Sequence, residues 1–178
     1  RSAVNALDEQ LQRIAPEVRS YLWHGAGRAT YFSPLNFIPG RKAPIRAVKM
    51  CLEEAPHEMG QLNMLAGLGW AINLVNMKHL EIAQSFLFYH RNEPHILDAF
   101  ANGVASSIVL REDITPNFAI KFIYTESQLA NDELAILWQT FVQTPSQQAI
   151  EIYQPKLAKE QQLEKVFCIQ NLQELTNF

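Results

Sequence analysis

The stretch PHEMGQLNMLAGLGWAINLVN, Pro56 to Asn76, is apolar for most of its length but is broken by Glu58, Gln61, Asn63 and Asn73. About 18 uninterrupted apolar residues are needed to span a bilayer, so the segment reads as a helix buried in a globular core. Its glycines give it a partner. Gly60, Gly67 and Ala71 include an i, i+4 pair of small residues, with Ala66 and Gly69 beside them. Each interior glycine costs about 1 kcal/mol of helix propensity relative to alanine. Two things can offset that cost: close backbone approach by another helix, or room for a flat or apolar ligand.

The matching surface lies 30 residues on. Pro94 suits the first turn of a helix in which Ile96, Phe100, Val104 and Ile108 form one stripe, and Ala99 and Gly103 repeat the i, i+4 spacing next to Ala105 and Ser106. Small residues on both helices satisfy one another without a guest. The pair is therefore expected to pack through Gly67, Ala71, Ala99 and Gly103.

Working outward, Ile45, Val48, Leu52 and Ala55 mark a helix from Pro44 to Pro56, and Ile82, Phe86 and Tyr89 another from about His79 to Arg91. Val4, Leu7, Leu11, Ile14 and Val18 share one face of an opening helix, with Pro16 as a break. Three glycines and three prolines between Gly25 and Pro44 predict one extended loop. Thr115-Pro116 is a helix start, although Phe118, Ile120, Phe122 and Tyr124 also alternate as a strand would; helix is the preferred reading. Asn131-Asp132-Glu133 caps a helix carrying Leu134, Leu137, Trp138, Phe141 and Val142, and Thr144-Pro145 opens a short one that Pro155 ends. A glutamine-rich amphipathic tail follows, with Leu163, Val166, Phe167 and Cys168 as its buried candidates. No hairpin pattern occurs, so the chain reads as a single all-α domain of about eight helices: a core over residues 1–145 and a C-terminal helical tail over 146–178 packed on it.

Composition narrows the function classes. A 178-residue chain with 48% hydrophobic and 19% charged residues is globular. A formal net charge of −3, with neither sign gathered into a run, argues against nucleic acid as a partner. Cys51 and Cys168 read as buried free thiols in a reducing, cytoplasmic compartment. The segment after Arg1 lacks the basic, apolar, small-residue succession of a signal peptide.

Catalytic and metal signatures are equally sparse. His57-Glu58 would begin a zinc-protease motif, but Gln61 stands where the second histidine belongs; His24, His79, His90 and His95 are scattered, so no metal site and no cofactor are expected. Glu53 and Glu54 disfavour a thiolate at Cys51. There is no nucleophile elbow and no phosphate loop. The balance leans away from an enzyme.

Six residues remain as ligand candidates. WHGAGRATYFSP, Trp23 to Pro34, lacks the third glycine of a dinucleotide fingerprint and follows no strand. It reads as a corner in which Gly25 ends a helix with positive φ and Arg28 lies at the surface. A binding version has Arg28 reach an anionic group between Trp23 and Tyr31. Asn63, Asn73 and Asn102 sit in or near the small-residue faces, where a buried amide must either bridge helices or point at a ligand.

The strings GAGRATYF, EAPHEMGQLNMLAGLGWAINLVN and DAFANGVASSIVLREDITP together resemble the uncharacterised helical proteins encoded beside enediyne polyketide synthases, over about Trp23 to Pro116. That family has no established catalytic mechanism, so the resemblance supplies a context and no catalytic residues. It implies a non-catalytic accessory or binding protein of secondary metabolism that encloses an apolar small molecule between helices. The alternative is a helical interaction module with a groove for a partner helix. Members of the family are longer than this chain, which would then correspond to a C-terminal portion with a divergent tail after Asn117.

Overall fold

A computed structural model describes residues 2–33, 43–123 and 132–176, and their regular structure is entirely helical. The elements are α1 (Ala3–Ile14), a 3-10 turn (Pro16–Val18; a second spans Leu163–Phe167), α2 (Arg19–Tyr31), α3 (Ala43–Glu54), α4 (Glu58–Asn76), α5 (Leu80–Tyr89), α6 (Pro94–Ile114) and α7 (Phe118–Ile123). They are followed by α8 (Asp132–Trp138), α9 (Thr144–Gln148), α10 (Gln154–Glu160) and α11 (Ile169–Thr176). No helix among the described residues is long and apolar enough to cross a membrane.

The stretch quoted first is the centre of the fold. His57 caps α4, its Nδ1 accepting from the Gly60 N–H at 2.9 Å. From Asn63 to Asn73 every residue of α4 is buried, because α2 lies along one side and α6 along the other. Both neighbours approach to backbone contact. A Cβ on Gly103 would sit 2.5 Å from Trp70 N and 2.8 Å from Gly69 C, which leaves room only for hydrogen. The α4–α6 packing is thus as expected, but Gly67 serves the opposite side: its Cβ would meet His24 C at 2.9 Å and Arg28 N at 3.1 Å, both in α2.

That contact corrects the reading of WHGAGRATYFSP. Gly25 and Gly27 do not begin a loop; they lie inside α2, which runs on to Tyr31. Glycine lowers helix propensity, but at Gly27 the absence of a side chain is what lets α2 reach α4, since a Cβ there would stand 2.7 Å from Met64 C and 2.8 Å from Met64 Cα. Tertiary packing outweighs local propensity here. The rest of the expected loop, residues 34–42, lies outside the described residues.

The prolines of the C-terminal third are a second correction. Residues 132–160 form an unbroken helical run through Pro145 and Pro155, so neither starts nor ends a helix and no break falls at residue 145. A proline in a helix removes one donor and crowds the carbonyl four residues back. Here each follows a π-helical turn, Gln139–Gln143 before Pro145 and Ala149–Tyr153 before Pro155. The wider turn draws that carbonyl into an i to i+5 pattern and leaves space for the ring. The run ends at Gln161, which adopts the left-handed conformation with φ 56°. The alternating segment at Phe118 is the helix α7, with Tyr124 beyond the described residues.

Large side chains fill the space between helices where backbones stand further apart. Trp23, Phe86, Phe100, Ile108 and Trp138 are fully buried, and Phe86 of α5 stacks on Phe100 of α6 with ring centroids 4.6 Å apart. The segment after residue 144 packs on α6, and α11 also touches α4.

Candidate functional site

Two of the three asparagines are helix bridges. Asn63 Nδ2 donates to Met59 O at 2.9 Å, while its Oδ1 accepts from the Ile169 N–H at 3.1 Å, fastening the start of α11 to α4. Asn73 Nδ2 donates to Ser107 Oγ at 2.8 Å, across the α4–α6 seam. Asn102 forms no such bridge among the described residues, and its Oδ1, like that of Asn73, is buried without a hydrogen-bond partner there.

Trp23, Arg28 and Tyr31 do not form one cradle. Trp23 is fully buried and its Nε1 donates to Asp8 Oδ1 at 2.8 Å; the Tyr31 hydroxyl accepts from Asn76 Nδ2 at 2.8 Å. The rings that flank the Arg28 guanidinium are instead Trp70 and Phe167, each with its centroid 5.0 Å away. Arg28 is therefore half-buried between two aromatics rather than free at the surface. Beside it His24 is wholly buried, and burial followed by the nearby Arg28 charge holds its pKa down at about 3, so the imidazole is neutral.

Asp8, which no sequence motif marks, organises the N-terminal corner. Its carboxylate accepts from Arg19 Nε and Nη2 at 2.8 Å each, from Trp23, and from His57 Nε2 at 2.9 Å. The Arg19 hydrogen bonds, more than those from His57 and Trp23, hold the carboxyl well below the usual range against the opposing effect of burial. An acidic group orienting a histidine invites a catalytic reading. The geometry answers it: His57 uses Nδ1 to cap α4 and Nε2 to reach Asp8, so neither nitrogen is left to take a proton from a substrate. Cys51 is similarly unsuited to nucleophilic work, because burial pushes its thiol up to about 12. Among the described residues no three His, Cys, Asp or Glu side chains gather as a metal site would require.

What remains is a cleft of about 330 Å³ between α6, the helical run at residues 145–153 and α11. One face of α6 forms its floor: Asp98, Ala101, Asn102 and Ala105 recur at i, i+3, i+4 and i+7. The two alanines leave the space and the two polar residues furnish it. Pro145, Gln148 and Tyr153 form one wall, and Ile169 and Leu172 the other. The volume falls at the lower end of the range for small-molecule sites, and the lining is mostly apolar with a few convergent polar groups, as such sites are. The second π-helical turn places Tyr153 at the wall. Such turns are frequent at functional sites.

The lining residues come from three separated parts of the chain, which is why the sequence marked only Asn102 among them. Compared with protein families, with characterised proteins and with solved structures, the chain matches none.

Proposed function

We propose that this protein is a non-catalytic binding protein whose small-molecule ligand occupies the cleft on α6. The observation that carries the reading is the cleft itself: about 330 Å³, apolar on most sides, with Asp98 and Asn102 on its α6 floor. The small-residue faces of α2, α4 and α6 offer no alternative chamber, since each is filled by the next backbone. Placement in secondary metabolism rests on the three strings that resemble the enediyne-associated proteins, and a cytoplasmic setting on the two free cysteines.

The test is a thermal-shift screen of drug-sized apolar molecules against the wild type and Ala101→Trp, whose indole would fill the cleft from the partly exposed side of α6. Compounds that raise the wild-type midpoint and lose that effect in the variant support the reading. If no compound shifts the wild type, or if the shifts survive the blocked cleft, the reading fails.

A second reading, an interaction module, is favoured by α1. Leu7 and Ile14 on that helix are 42% and 78% exposed, so part of its apolar stripe is left uncovered. Retention of a protein partner lost on Leu7→Glu with Ile14→Glu would support that reading; retention unchanged by the double substitution would remove it.

A further inference from the structure

We infer that Arg28 anchors a second binding site, one that takes a small organic carboxylate paired with its guanidinium. The site shares no lining residue with the α6 cleft and stands independently of the binding reading above. It is built from three parts of the chain: Arg28 on α2, Trp70 on α4 and Phe167 at the end of the 3-10 turn Leu163–Phe167. The two ring centroids are 6.4 Å apart and each 5.0 Å from Arg28 Cζ, so seen from the guanidinium they stand less than a right angle apart. Both rings therefore hold it from one side. The residue is half-buried, and none of its guanidinium nitrogens is among the unpartnered atoms sealed from solvent, so a ligand can reach the fork from outside.

What sets Arg28 apart is a charge without a counter-ion. No hydrogen bond or ion pair joins its side chain to any described residue; the two ring contacts are all it makes. Burial lowers its pKa, and no carboxylate opposes that effect. A partly desolvated cation ordinarily finds an anion. The neighbours supply none: Trp70 and Phe167 carry no acceptor, and His24 is a neutral imidazole. The nitrogens of His24 and Trp70 are shut off from solvent and take no part in the contact, which falls to Arg28 alone. Its guanidinium is a planar fork of N–H donors that a carboxylate meets edge-on with two parallel hydrogen bonds. One positive charge balances one carboxylate. A phosphate dianion would bring surplus charge to a half-buried place with no second cation near enough to perturb Arg28, and an ammonium would meet like charge. Phe167 is half-buried too, so an apolar body beside the carboxylate has a ring to lie on.

Three probes share a phenyl ring and differ at the head group: phenylacetate, phenylethanol and phenyl phosphate, used at about pH 8, where the phosphate is a dianion. Calorimetry would give their affinities for the full chain, Arg28→Gln, Arg28→Lys and Ala101→Trp, with far-UV circular dichroism confirming that each variant folds. Proton–nitrogen NMR spectra would follow the Arg28 Nε–H of the wild type. Phenylacetate should bind saturably, move that Nε–H, and bind roughly tenfold to a hundredfold tighter than the alcohol, as hydrogen bonds between charged groups imply. Arg28→Gln should abolish the preference for acid over alcohol. Arg28→Lys should keep part of it, since the charge stays while the fork is lost, and Ala101→Trp, which blocks only the α6 cleft, should leave it unchanged. Equal binding of acid and alcohol, tighter binding of the phosphate, no saturable binding of the acid, or an acid preference that survives Arg28→Gln or vanishes in Ala101→Trp would each overturn the inference. Should Arg28→Gln fail to fold, the wild type still decides: an Arg28 Nε–H left unmoved by bound phenylacetate overturns it.

Discussion

Gly25 and Gly27 stand two residues apart in α2, and replacing each with alanine separates helix propensity from interhelical packing. Both substitutions gain up to about 1 kcal/mol of propensity. At Gly25 the new methyl meets only the end of the Arg28 side chain, at 3.8 Å, an ordinary contact, so the gain should stand. A domain of 150–250 residues shifts its midpoint by about 2–4 °C per kcal/mol, and Gly25→Ala should melt higher by up to that amount. At Gly27 the methyl would lie 2.7–2.8 Å from backbone carbons of Met64, against a preferred carbon–carbon separation of about 3.5–4.0 Å. The obstacle is backbone, so α2 must move off α4 by about 1 Å, and Gly67 then loses its contact with α2 as well. Overpacking of this kind costs about 3 kcal/mol, leaving a net loss of about 2 kcal/mol and a midpoint lower by about 4–8 °C. Thermal and urea unfolding followed by circular dichroism would measure both variants. A Gly27→Ala protein as stable as the wild type would refute the close approach, and a strongly destabilised Gly25→Ala would restore the corner with positive φ.

Three further outcomes follow from the same contacts. Asn63→Ala strands the buried Ile169 N–H and should cost about 1–3 kcal/mol, with hydrogen exchange accelerated across α11 more than across α4; equal protection in α11 would show that the bridge does not hold it. Arg28→Ala should cost about 1–2 kcal/mol in urea unfolding, because the guanidinium lies between Trp70 and Phe167, whereas a loss within about 0.5 kcal/mol would mean the two ring contacts carry no energy. His24 is held neutral with its pKa near 3 against 6.5 when free, so the unfolded chain binds the extra proton below about pH 6.5 and stability falls with pH through that window. The loss is about 2 kcal/mol at pH 5 relative to pH 8, and the stability difference between the wild type and His24→Phe should change with pH accordingly; a difference independent of pH would exclude the effect. The depressed Asp8 carboxyl acts in a lower window, contributing stability above its ordinary pKa of 3.8 that is lost only as pH falls below it.

The sequence by itself determined the helices whose signals are local. The stripe of Ile96, Phe100, Val104 and Ile108 with Pro94 at its start, the segment between Pro56 and Asn76, and the small residues that pair α4 with α6 were all legible, because 3.6-residue periodicity and first-turn chemistry are properties of neighbours in the chain. Only the tertiary structure decided what glycine and proline meant. GAG looked like a loop, yet continues as helix because Met64 of α4 fills the space a side chain would need; Pro145 and Pro155 looked like boundaries, yet are absorbed by π-helical turns. Gly67 could be assigned to a packed face, but choosing α2 over α6 depends on which side of α4 each neighbour occupies. Asp8, the rings around Arg28 and the walls of the cleft were beyond reading for the same reason. Each joins residues far apart in sequence, and no local pattern encodes which distant groups a folded backbone brings within hydrogen-bonding or van der Waals distance.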